Sequence, residues 1–193
     1  MQELSKLAWE DFYSNKKLRY QLSPLAILFQ FQTGIRLGEL CVVRFSDIQG
    51  DYIKIERMYR YETGEVVNHT KGFEDRLVLL TETAKEIIQT ARDYQIQHGY
   101  QTNGYIFSCT GKPLSEASIS GLYDKYCNEI GTIHKSSHKS RKTYISSLID
   151  GQVNINTIRE MVGHADERTT YNSYCFDRHT ESEKRLQIES ALS

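Results

Sequence analysis

With 193 residues, 39% of them hydrophobic and 25% charged, the chain has the make-up of one globular domain, not of a disordered or fibrous protein. A formal net charge of −1 speaks against a domain whose whole surface grips a polyanion. The longest apolar run, LAILF at 25–29, is far too short for a membrane span, and no basic-then-apolar leader opens the chain, so a cytoplasmic protein is expected.

The first twenty residues read as a weak helix around Leu4, Leu7, Ala8 and Phe12. SPLAILFQFQ at 23–32 predicts a buried helix, with Ser23 as its N-cap and Pro24 in its first turn. Thr33-Gly34 breaks it, and IRLGELCVV is expected to start another. From about residue 51 the period changes to that of strands: YIKIERMYRY, then a TGE turn, then EVVNHTK and RLVLL, a three-stranded antiparallel meander. Thr81 is placed to cap a long helix, TETAKEIIQTARDYQIQHG, that Gly99 ends. YIF at 105–107 is a short extended piece, and helices are expected at about 115–129, 137–149, 154–162 and 167–176, with the tail 178–192 able to form another. The fold class is therefore α+β: mainly helical, with one small three-stranded antiparallel sheet.

The four cysteines, Cys41, Cys109, Cys127 and Cys175, are scattered without a CxxC and read as reduced structural thiols. Positive charge is concentrated in HKSSHKSRK at 134–142, which holds Lys135, Lys139, Arg141 and Lys142 and no acid. Alone, this run reads as a solvated basic face. Arg36 and Glu39, three apart on a helix, read alone as a surface ion pair that contributes a few tenths of a kcal/mol.

Together these pieces say more. TGIRLGEL at 33–40 holds Arg36 and Glu39, and NHTKGFEDRLVLL at 68–80 sets Lys71 beside Gly72 between two strands. HKSR at 138–141 spaces His138 and Arg141 by one helical turn, and VGH at 162–164 precedes Tyr171 and Tyr174. The order TGxRxxEL, HxxR, GH, Tyr resembles the catalytic domain of the tyrosine recombinases, the integrase family of phage and mobile elements, from Pro24 to Tyr174.

That resemblance implies the family's catalytic-domain fold and a reaction: site-specific DNA cleavage and rejoining through a 3′-phosphotyrosyl intermediate, with no metal, ATP or other cofactor. Arg36 and Arg141 match the family's two phosphate-clamping arginines. His138 matches its general base, Lys71 the lysine that protonates the leaving oxygen, and His164 a further hydrogen-bond donor to the phosphate. Tyr174 matches the nucleophile; at ten positions beyond His164 it fits the family's spacing better than Tyr171 at seven. Glu39 matches an acid that orients Arg36, and Lys135, Lys139 and Lys142 are expected to touch the DNA backbone. Lys142 stands where the family usually carries a histidine.

The same residue set also serves a type IB topoisomerase-like nicking and closing enzyme, and the basic run alone serves a non-catalytic DNA-binding module. By the resemblance, residues 1–177 are the catalytic domain, with the family's core-binding and arm-binding domains absent. Double-stranded DNA is the expected partner. The tail 178–193 is expected to dock on a neighbouring protomer in a tetramer assembled on DNA, or to fold back on its own subunit.

Overall fold

The computed structural model describes residues 2–14, 21–70 and 75–163, together with 182, 185, 186, 188 and 189 of the tail. Helix α1 (Gln2–Ser14) packs on α2 (Ser23–Thr33), which also touches α4 (Glu82–Gln97), α5 (Glu116–Ile130) and α6 (Ser137–Asp150). Surrounded in this way, α2 has no polar face to offer, and every residue from Ser23 to Gln30 is buried. That is why SPLAILFQFQ shows no helical alternation of polar and apolar positions. The helix begins with Leu22, not Ser23, at its N-cap position. Leu22 is drawn into the core at 1% exposure, Ser23 becomes the first helical residue, and its buried Oγ finds no hydrogen-bond partner.

One polar side chain of α2, Gln30, reaches outward with both ends of its amide. Gln30 Oε1 accepts from Tyr123 Oη on α5 at 2.9 Å and lies 3.2 Å from Ser140 Oγ on α6, while Tyr123 and Ser140 are 2.8 Å apart. Gln30 Nε2 donates to the Ile35 carbonyl just past the end of its own helix, at 3.0 Å. Buried hydrogen bonds of this kind are costly to leave unmade, so they register α2, α5 and α6 against one another.

Past Gly34, the expected helix from Ile35 is only a single turn, α3 (Leu37–Leu40). Beyond it Val42 and Val43 are buried, and the chain turns extended: Val43 accepts from Ile106 N, and Arg44 bridges to Tyr105. Pairing with the YIF segment thus competes with helix propagation and wins.

The strands also divide differently from the expected meander. YIKIERMYRY breaks at Glu56-Arg57 into β2 (Tyr52–Ile55) and β3 (Met58–Arg60). Arg57 pairs with its neighbour Glu56 and with Asp47, whereas a regular strand sends adjacent side chains to opposite faces. Among the described residues, β1 (Ile48–Gln49), β2 and β5 (Arg76–Leu79) form the three-stranded antiparallel sheet, in the order β1-β2-β5, and β3 pairs with β4 (Glu65–Val67) as a separate hairpin. In β5 the inward residues are Arg76 and Val78, the outward ones Leu77 and Leu79.

Thr81 caps α4 as expected, accepting from Ala84 N at 3.1 Å. Cys41, Cys109 and Cys127 are free and buried. A smaller apolar cluster of Tyr144, Ile145, Ile158 and Val162 joins α6 to α7 (Ile155–Val162). The expected helix at 167–176 lies outside the described residues. No helix among the described residues is long and apolar enough to cross a membrane.

Among the described glycines, Gly34 has the tightest surroundings. Its φ is +61°, and a Cβ built there would sit 2.2 Å from Tyr144 Cδ1. Gly99 has a similar φ of +65° with nothing within 4 Å. Gly99→Ala is therefore expected to lose only the left-handed backbone cost of about 1–2 kcal/mol, and Gly34→Ala clearly more, as read from urea midpoints of the two variants.

Candidate active site

The site is built on the carbonyl end of α7. A helix leaves its last carbonyls without intrahelical donors and with a partial negative charge, and cations satisfy both needs. Here three arginines from separate parts of the chain donate to three consecutive carbonyls. Arg76 Nε donates to Met161 O at 2.8 Å, Arg141 Nη2 to Val162 O, and Arg36 Nη2 to Gly163 O at 2.9 Å. Arg141 also donates through Nη1 to Gly34 O at 2.6 Å, two residues before Arg36. The turn that follows α2 and the turn that follows α7 are thus tied together by the arginine of α6.

Glu39 lies at the centre of the cation cluster, only 1% exposed. Its Oε2 accepts from the Arg36 backbone N–H at 2.8 Å, and its Oε1 from Arg36 Nη1 at 3.0 Å. From the other side Arg76 Nη1 and Nη2 grip Oε1 and Oε2 at 2.9 and 2.6 Å. Burial alone would push this carboxyl up. Hydrogen bonding and charge from Arg76, with the charge and backbone N–H of Arg36 added, outweigh it and hold the group below its ordinary value.

His138 stands exposed in the first turn of α6, one turn before Arg141. Partial desolvation, followed by the charges of Lys142, Arg141, Lys139 and Arg36, lowers its pKa from the ordinary imidazole value. The ring is therefore neutral at neutral pH, and it feels both Arg36 and Arg141. Lys135 and Lys139 are exposed and Lys142 is half-buried.

Of the candidates expected from sequence, the fold brings Arg36, Glu39, His138 and Arg141 into one neighbourhood. Lys71, His164 and Tyr174, like Tyr171, lie outside the described residues, though His164 directly follows Gly163 in the chain.

The phage integrase family model matches residues 2–181. The chain belongs to that family. Relatives within it include a tyrosine recombinase of Agathobacter rectalis, 28% identical over 162 residues that cover 81% of this chain and 49% of that protein. Tyrosine recombinase XerD of Chlamydia muridarum is 31% identical over 145 residues, covering 72% of this chain and 44% of the other. In fold, this phage integrase family chain is similar to the Tn1549 transposon integrase in complex with circular intermediate DNA. The TM-score is 0.73 at 18% identity, over 96% of this chain and 64% of that one. XerA recombinase gives a TM-score of 0.67 at 21% identity, over 99% and 64%. The chain spans about half the length of the curated relatives it matches.

One member of the cluster was not among the sequence candidates. In the sequence Arg76 stands only as the first residue of the expected strand RLVLL. The signal was present: strand alternation puts position 76 on the same inward face as Val78 and Leu80, and a guanidinium on a buried face demands a carboxylate. The partner, Glu39, was already in view.

Glu39→Ala leaves Arg76 buried without its carboxylate and is expected to cost about 3–5 kcal/mol in urea unfolding. The folded-state pKa of Glu39 lies below that of the unfolded chain, so its contribution is complete above about 4.5 and disappears as pH falls through the lower folded value. Glu39→Gln should flatten that acidic limb of the stability profile.

Proposed function

We propose that this chain is the catalytic domain of a tyrosine-type site-specific recombinase, which cuts and rejoins DNA strands through a 3′-phosphotyrosyl bond. The observation that carries the reading is the meeting of Arg36 and Arg141 at the turn that leads into His164, with a neutral His138 beside them. Membership of the integrase family supports it.

A phosphodiester is already an anion, and the transition state for attack on its phosphorus spreads further charge over the non-bridging oxygens. Two always-charged, forked guanidiniums suit that charge and its geometry. The backbone carbonyls that they now hold mark where their donors converge, and the phosphate oxygens compete for the same N–H groups.

In the proposed reaction the Tyr174 phenol oxygen forms a bond to phosphorus and the bond to the 5′ oxygen breaks. The phenol proton passes to His138, and Lys71 supplies a proton to the departing 5′ oxygen. His164 donates to a non-bridging oxygen. A phenol has an ordinary pKa of about 10, so a base at hand matters, and His138 meets that need by starting unprotonated. A free 5′ hydroxyl then attacks the phosphotyrosyl bond in the reverse sense, which conserves the bond energy without ATP and without a metal.

Lys135, Lys139 and Lys142 extend positive charge along the approach to the site and serve as backbone contacts for double-stranded DNA. Residues 1–177 carry the chemistry in this reading. The tail 178–193, where Leu186 and Ile188 are 65% and 59% exposed, docks on a neighbouring protomer of a tetramer on DNA. The cytoplasm, where chromosomal and phage DNA meet, is the setting that this requires.

Incubated with a nicked duplex carrying its recognition site, the protein should form a covalent adduct that Tyr174→Phe abolishes and chelator leaves unchanged. An adduct that persists in Tyr174→Phe, or binding to the site with no adduct at all, rejects the assignment; the second outcome fits a non-catalytic DNA-binding module. Relaxation of supercoils lacking the site would indicate a topoisomerase instead.

With DNA below saturation, adduct formation should rise with pH through a limb centred below about 6.5, the ordinary imidazole value. Lys142→Gln removes a positive neighbour of His138 and should move that limb upward, towards the ordinary value, whatever it does to DNA affinity.

A further inference from the structure

We propose that Arg76 is a positioning residue for catalysis: by neutralising Glu39 it leaves Arg36 both fixed in place and electrically free for the phosphate. This rests on the recombinase reading above and goes beyond it in assigning Arg76 a task.

The geometry separates the two arginines by role. Arg76 is 8% exposed, and each of its three guanidinium nitrogens already donates within the protein, both Nη groups to Glu39 and Nε to Met161 O. The Arg36 side chain is 28% exposed and gives Glu39 only one of its terminal nitrogens, the other reaching Gly163 O. Each Glu39 oxygen accepts twice, once from Arg76 and once from Arg36, which uses the lone-pair capacity of a carboxylate.

Removing Arg76 changes what Arg36 must do. A buried Glu39 with one cation left draws that cation into a two-oxygen pair, and the charge of Arg36 is then spent on the protein. Alternatively Glu39 takes up a proton, and Arg36 loses the charged anchor that sets its angle. Either way the clamp on the phosphate weakens although Arg76 never touches it. The same side chain also packs on the end of α7: a Cβ at Gly163 would lie 3.0 Å from Arg76 Cδ.

The test is a double-mutant cycle on the full 193-residue chain, read as single-turnover adduct formation at saturating nicked DNA, with DNA affinity and thermal unfolding measured alongside. Arg76→Gln should slow adduct formation by roughly 10- to 100-fold, the loss expected from a displaced catalytic group, while affinity for DNA shifts far less. Arg76→Lys, which keeps the charge but not the fork, should recover part of the rate.

In an Arg36→Ala background, Arg76→Gln should change the rate by less than about threefold, because the residue through which it acts is gone. Should Arg76→Gln fail to fold, the pair Glu39→Gln with Arg76→Met removes both buried charges together. It should fold, and still cleave slowly, because Arg36 has lost its charged anchor. A rate loss that is equally large with and without Arg36, or a folded Arg76 variant or pair that cleaves at the wild-type rate, overturns the assignment. Wild-type adduct formation in the same assay separates that outcome from failure of the recombinase reading itself.

Discussion

A carboxylate that has almost left water organises this molecule. Glu39 cannot be buried as an anion unless cations meet it, and the two that do come from either side of it in the chain, Arg36 beside it and Arg76 at the start of β5. Their demands set the local fold. The α2–α3 turn must present Glu39 inward, and β5 must turn Arg76 away from solvent. Because Arg76 also donates to Met161, α7 must end against β5. Burying an ion pair gains little stability over an apolar core, but breaking one is expensive. The arrangement therefore specifies one geometry more than it strengthens the domain.

The end of α7 is the second half of that constraint. Helix ends are usually satisfied by water or by a glycine-based cap, and Gly163 does adopt the left-handed conformation of such a cap, at φ +64°. Beyond that cap, three guanidiniums converge on Met161, Val162 and Gly163. Residues that are far apart in the chain are thereby referenced to one short stretch of backbone, the stretch from which His164 and the tyrosine segment follow. An active site built from scattered residues needs such a common origin, because errors in the placement of each element would otherwise add.

How much of this could be read from sequence varied with the range of the forces involved. The buried helix at 23–32, the Thr81-capped helix and the helices that carry the basic run were legible because composition, caps and glycine stops are local signals. The motif residues Arg36, Glu39, His138 and Arg141 were legible as an ordered set, and the fold does bring them together. The expected N-cap at Ser23 and helix after Ile35 give way to tertiary forces: Leu22 is pulled into the core, and Val43 pairs with Ile106. The split of the sheet at Glu56-Arg57 turns on a side-chain pairing with Asp47 that no strand pattern records. Arg76 is hard to recognise from sequence for a related reason. Alternation turns it inward and so calls for a carboxylate, but only the fold shows that the carboxylate is Glu39.

Electrostatics then explains how a chain with net charge −1 can offer a cationic site. Formal charge is summed over the whole surface, but a local field is that of the nearest groups, and among the described residues those acting on His138 are Lys142, Arg141, Lys139 and Arg36. Partial desolvation first, and then this same field, lowers the pKa of His138. The two effects are coupled in a useful direction. In the proposed reaction, a phosphodiester entering between Arg36 and Arg141 brings negative charge beside His138 and offsets part of the positive field, which raises the affinity of the imidazole for a proton. In the reading proposed here, the base therefore gains strength on arrival of the group whose attack requires a phenol to be deprotonated, and before that arrival it stays neutral and ready.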